Sequence, residues 1–117
     1  MKASELRIGS WCNIVKSPFE SEIGEHQIEA ITIHYFESGD DLVLKPIPLT
    51  EEWLLKLGAE ENEGCFIHDR FKLQHHDVYK FWYVFDVTLM AYITKVEFVH
   101  EWQNVYFALN GEELTVK

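Results

Sequence analysis

Three places in this sequence set potential ligands and proton carriers close together. His68-Asp69 and His75-His76-Asp77 are the densest group. If His68 stood opposite His76 across a hairpin, two imidazoles and the Asp77 carboxylate would meet, a donor set that suits zinc or nickel. The competing structural reading is that QHHD is a tight polar turn whose histidines serve no ligand. The second place is His100-Glu101, followed by Trp102-Gln103-Asn104. It starts like the zinc-protease helix H-E-x-x-H, in which two His four apart hold one ion from one helix face. Here Asn104 stands at the second ligand position and is a poor zinc ligand, so an amphipathic packed helix is the better reading. The third comprises the acidic pairs Asp40-Asp41, Glu51-Glu52, Glu60-Glu61 with Glu63, and Glu112-Glu113. Paired carboxylates at a cleft do acid/base work. These sit in turns and helix starts, without the alternation of a calcium loop, and read as solvated charge. No glycine-rich phosphate loop, G-x-S-x-G elbow or dinucleotide fingerprint is present. The sequence leans away from an enzyme and implies no cofactor.

The elements that must position these groups follow from patterning. Leu6, Ile8, Trp11, Ile14 and Val15 predict a first strand bent at Gly9. Residues 17–26 read as an irregular polar connection, residues 28–36 (IEAITIHYF) as a second strand, and residues 37–41 (ESGDD) as a turn. Residues 42–45 return as a third strand, ended by Pro46 and Pro48, which cannot donate a ladder hydrogen bond. Thr50 at an N-cap, Glu51-Glu52 in the first turn, the stripe Trp53, Leu54, Leu57, and Gly58 as a left-handed stop predict a short helix over 51–57. Residues 59–64 (AEENEG) read as an acidic loop. Residues 65–73 and 78–87 read as two arms of a hairpin around QHHD. The second arm, KFWYVFDV, is apolar on both faces and is expected centrally in the sheet, with cover on each side. Tyr92, Thr94, Val96 and Phe98 alternate with Ile93, Lys95 and Glu97 in a further strand. Trp102, Val105, Tyr106 and Leu109 form one stripe of a helix over 100–109, and Asn110-Gly111 suits its C-cap or a hairpin turn. Together these predict one α+β domain over residues 1–117, a curved antiparallel sheet with two short helices.

Composition narrows the function classes. The chain has 117 residues, 47% of them hydrophobic and 15% aromatic, enough for a real core with aromatics to spare for a partner surface. Twenty acidic against ten basic residues give a net charge of −10. Such a surface repels phosphate backbones, which argues against direct nucleic-acid binding and leaves basic proteins open as partners. Cys12 and Cys65 lack C-x-x-C spacing and read as free thiols of a reducing compartment. The start, MKASELRIGS, has no apolar signal-peptide core, and the longest apolar run, residues 81–85, is far short of a membrane span. A cytoplasmic location is expected.

Three blocks, ELRIGSW, PIPLTEEWLLKLGA and VHEWQNVYFALNGEELTVK, cover roughly a third of the chain. Together they resemble a family of small bacterial proteins often encoded among prophage and mobile-element genes. This sequence departs from the family pattern at Ser10, Ala59, Trp102 and Asn110. The resemblance brings no activity, so no catalytic residue carries over; it implies a small cytoplasmic protein of phage or mobile-element context. The N-terminal strand pattern is also similar to the opening of SH3-like small barrels, which implies a barrel over residues 6–45 and nothing about chemistry.

Three functional expectations follow. The first is a non-enzymatic protein-interaction module, with Trp53, Trp82 and Trp102 as anchors for a protein partner or for self-association. The second is an acidic decoy that occupies the basic groove of a nucleic-acid-binding protein. The third is a metal-binding protein or enzyme built on His68, His75, His76 and Asp77.

Overall fold

The computed structural model describes residues 10–16, 24–27, 43–76, 78, 80–114 and 116. Two antiparallel sheets and two helices make up this part of the chain, in agreement with the α+β reading. The smaller sheet has the order β2-β1-β3, with β1 at Trp11–Lys16, β2 at Gly24–Gln27 and β3 at Val43–Pro46. The helix α1, Glu51–Lys56, leads into a five-stranded sheet whose strands pair in chain order. These are β4 (Glu60–Asn62), β5 (Cys65–His68), β6 (Phe71–His75), β7 (Trp82–Asp86) and β8 (Ala91–Val96). The helix α2, Val99–Asn110, follows. The expected strands at 6–9 and 28–36 and the turn at 37–41 lie outside the described residues. So does most of the expected barrel, of which β1, β2 and β3 form a three-stranded sheet.

Both helices form where their end signals place them. The Thr50 hydroxyl accepts the Trp53 N–H at 3.3 Å, and Gly58, at φ 100°, turns the chain so that the Ala59 N–H reaches the Leu54 carbonyl at 2.9 Å. At the start of α2 the Glu101 carboxylate accepts the backbone N–H groups of Glu97 and Phe98, at 2.9 and 3.0 Å. Gly111 closes that helix at φ 73°. Asn110-Gly111 is therefore a helix cap and not a hairpin turn.

The sheets depart from expectation at four points. The end of the expected polar connection over 17–26 is strand: Gly24, Glu25 and His26 belong to β2 and pair with β1. Residues 59–64 are not a plain loop: β4 pairs with β5 through a two-residue turn, in which Glu63 (φ 53°) and Gly64 (φ 84°) both take positive φ. Residues 65–73 are two strands, because Asp69, at φ 57°, turns the chain and sets His68 opposite Phe71. Pro46 is the last residue of β3, opposite Cys12, and Pro48 does not end pairing either. It bridges Phe98, while its neighbours carry the bonds: the Leu49 N–H donates to the Glu97 carbonyl and the Val99 N–H to the Ile47 carbonyl, each at 2.9 Å.

One face of the five-stranded sheet is the core face. Phe66, Phe71, Leu73, Trp82, Val84 and Val96 point to it and meet Trp53, Leu54 and Leu57 around α1 and Val99, Trp102 and Tyr106 of α2. Trp82 donates its indole N–H to the Leu49 carbonyl at 2.9 Å, which satisfies the one polar atom it buries. A buried polar joint links this core to the smaller sheet. Gln103 of α2 is fully buried and accepts the backbone N–H of Trp11 at 2.8 Å, while the Trp11 ring packs 5.3 Å from that of Trp53.

Candidate functional site

The residues expected to do chemistry are placed apart. His68 and His75 share the core face, but the β5–β6 register sets them four residues apart along the strand direction, about 13 Å at the usual rise. The His68 ring lies 4.9 Å from Tyr106 and the His75 ring 4.8 Å from Trp82. His76 turns to Phe81 and Tyr83 at 5.7 and 5.6 Å. Asp77 lies outside the described residues. The hairpin that was to bring His68 and His76 together is divided by β6, and no group of three metal-ligating side chains occurs among the described residues. At the H-E-x-x-N stretch, His100 is buried and stacked 6.0 Å from Phe98, and Glu101 is spent on the helix start. The near-motif is a helix beginning.

The tryptophans expected as anchors are core side chains. Trp53, Trp82 and Trp102 are 5%, 3% and 0% exposed. An aromatic residue on the buried stripe of a short helix or on the inward positions of a strand has its large area covered by the fold itself.

The surface aromatics stand on the outer face of the same sheet, and a bulge puts them there. In β8, Thr94 pairs with Val84 but Tyr92 pairs with Phe85, so Ile93 is an extra residue. A one-residue bulge reverses the alternation, so Tyr92 leaves the core side that Val96 occupies and joins the other face. There it meets Phe85 at 5.7 Å and Tyr83 at 5.8 Å. Tyr83 in turn meets Phe81 at 5.4 Å and His76 at 5.6 Å, and Lys95 places its ammonium 4.6 Å from the centre of the Phe81 ring. The expected cover over the outer side of β7 is incomplete: Phe81, Tyr83 and Phe85 are half-buried and Tyr92 is 52% exposed.

The β7–β8 turn extends this face. Leu89 and Met90 are 69% and 91% exposed, and Met90 sits at φ 52°, a backbone region costly for a side chain of its size. Beside it a groove of about 530 Å³ runs between Lys72, Gln74, Phe85, Val87, Met90 and Ala91. The turn is held from beneath. Asp86 is buried and accepts the Arg70 Nε–H at 2.8 Å and the backbone N–H groups of Thr88 and Leu89 at 2.9 and 3.0 Å. Half-exposed rings, an exposed methionine and Lys72 thus gather around one groove.

Sequence reasoning missed this face, although a local count points to it. Residues 70–95 carry four of the ten Lys/Arg, two of the twenty Asp/Glu and seven of the seventeen aromatic residues. Averaging charge over the chain hid a basic, aromatic segment within an acidic protein.

Cys12 is no nucleophile at neutral pH. Burial pushes its thiol from the ordinary 9.0 up to about 12. The folded state thus keeps a proton that the unfolded chain releases. Stability from this group is full below about pH 9 and falls by roughly 1.4 kcal/mol per pH unit until about pH 12. Cys12→Ala should remove that part of the alkaline decline. Urea midpoints of the two proteins from about pH 8 to about pH 11 should therefore converge; parallel curves would contradict it.

Among the described residues no helix is long and apolar enough to cross a membrane. Comparisons with protein-family models, with curated proteins and with solved structures each return no match for this chain.

Proposed function

We propose that this protein is a non-enzymatic interaction module that docks a partner protein on the outer face of the five-stranded sheet. One observation carries the reading: the β8 bulge moves Tyr92 from the core side onto a face where Tyr83, Phe85 and the exposed Met90 already stand. Exposed apolar surface of this kind costs solubility and is retained where something covers it. The free thiols Cys12 and Cys65 fit a reducing compartment, and the cytoplasm is the proposed location. The three resembling blocks support a phage or mobile-element origin.

The test is capture of partners from host lysate by the wild type and by Tyr92→Ser, Met90→Ser and Leu55→Ser. All three positions are exposed, so the variants should fold normally, and Leu55 lies on α1, away from the face. Loss of the outer-face hot spots should weaken capture at least about tenfold, while Leu55→Ser leaves it unchanged. Capture indifferent to Tyr92 and Met90 would overturn the reading.

A second reading, an acidic decoy, draws on the exposed Glu51, Glu52, Glu60 and Glu61 of α1 and β4. It requires a basic partner released at low salt and insensitive to the Tyr92 and Met90 substitutions.

A further inference from the structure

We infer that Asn110 is a self-modifying site, and that loss of its side-chain nitrogen as ammonia unlatches the end of α2. Of the four asparagines, Asn13, Asn62, Asn104 and Asn110, only Asn110 is followed by glycine. Glycine has no Cβ to hinder approach to the neighbouring side chain. Beyond its chain neighbours, nothing stands within 4 Å of where a Cβ on Gly111 would sit, so a small ring has room to form and water has room to reach it. The backbone nitrogen of Gly111 attacks Cγ of Asn110. A C–N bond forms, the Cγ–Nδ2 bond breaks, and Nδ2 leaves as ammonia with the proton given up by the Gly111 N–H. Water then opens the resulting succinimide at one of its two carbonyls, leaving aspartate or iso-aspartate.

Two bonds restrain this reaction in the folded protein. The Gly111 N–H donates to the Phe107 carbonyl at 2.8 Å, and the Asn110 Nδ2–H donates to Asp69 Oδ2 at 3.0 Å. Both must open before the nitrogen reaches Cγ. Asp69 stands in the β5–β6 turn, so the second bond latches the end of α2 to the sheet, one helical turn beyond the contact of Tyr106 with His68. Charge works against that last turn. It has no basic residue to balance the negative helix end, and Glu112 and Glu113 follow it. Phe107, Ala108 and Leu109 are exposed, which favours local opening. The product reverses the latch. A carboxylate at position 110 stands against that of Asp69 where a donor stood, and adds charge at the negative helix end. Iso-aspartate also inserts one carbon into the main chain, within the turn that carries Gly111, at φ 73°, back toward the buried Leu114. The last turn of α2 opens and Leu114 is drawn from the core. The change needs no enzyme and runs one way, so it marks the age of each molecule.

Peptide mapping of the purified protein, held for weeks in warm, mildly alkaline buffer, tests this beside Asp69→Gly, Asn110→Gln and Asn110→Asp. Glycine suits the left-handed backbone at Asp69, φ 57°, so that variant drops the latch and keeps the turn. The wild type should convert at Asn110 while Asn13, Asn62 and Asn104 stay intact. Asp69→Gly should convert about fivefold faster, the factor that one hydrogen bond of ordinary strength imposes on the open state. Asn110→Gln, whose amide would have to close a larger ring, should stay unconverted. In Asn110→Asp the amides of residues 107–111 should exchange at least about tenfold faster, with β5 and β6 protected as before. Asn110 left intact in the protein while a synthetic peptide of residues 106–114 converts in the same buffer would overturn the site. Equal rates in the wild type and Asp69→Gly, or unchanged exchange in Asn110→Asp, would overturn the latch.

Discussion

Trp102→Ala should lower the unfolding free energy by about 3–5 kcal/mol, read as a fall in urea midpoint at unchanged slope. Trp102 is fully buried, with Phe71 5.9 Å away at 82° and Tyr106 5.7 Å away at 69°. Its removal leaves a void between β6 and α2 that neither can close, because each is fixed by its own hydrogen bonds. A domain of this size has on the order of 5–15 kcal/mol in total, so the variant approaches the margin of folding. Trp102→Phe should cost less than half as much. The ring remains, and the indole N–H it gives up is buried without a partner among the described residues, so its loss removes a desolvation cost. Equal losses for the two variants would show that the void is not what matters.

Asp86→Ala should cost about 2–4 kcal/mol and should act locally. The carboxylate is buried and serves three donors, and its removal orphans the Thr88 and Leu89 N–H groups together with the Arg70 guanidinium. Arg70 is about two-fifths exposed at its side chain and can turn to water, which keeps the loss toward the lower end of that range. Asp86→Asn keeps an acceptor for the turn amides and should recover about half. Hydrogen exchange separates this variant from the tryptophan one: amides of residues 87–92 should exchange faster while those of α2 stay protected. Uniform acceleration would mean that Asp86 supports the whole fold. Asp86→Ala also bears on the proposed docking, since a loosened turn carries Leu89 and Met90 away from the aromatic rings while the core stays intact.

How much of this was legible in the sequence depended on whether the cause was local. Thr50 and Gly58 bound α1, and of the expected α2 stripe Trp102 and Tyr106 are buried and Val105 partly so, because caps and a 3.6-residue stripe are written in adjacent residues. Val99 and Gln103 complete the buried side without being part of the expected stripe. Leu109, expected on that stripe, is exposed. The charge of Glu60-Glu61-Asn62 lowers strand propensity and suggests a loop, yet pairing with β5 and the two positive-φ turn residues Glu63 and Gly64 override it. The Asp69 turn carries no glycine signal at Asp69 or Arg70, although aspartate tolerates the left-handed region. The outer face was illegible for a deeper reason. Strict alternation puts Tyr92 with Val96, and only the register against β7 reveals the extra residue that separates them.

The placement of α2 has a consequence for how the chain comes into being. Synthesis delivers β4 through β8 first, with Phe66, Phe71, Leu73, Trp82 and Val84 on one side, and only then the Val99–Asn110 segment that shields them. During that interval a nascent sheet is greasy on both sides, the inner one awaiting its lid and the outer one bare by nature. Aggregation during translation competes with closure for as long as the lid is missing. Slower growth, a cooler host or a chaperone that binds unfinished sheets should therefore raise the soluble yield, and so should charged substitutions on the outer side alone.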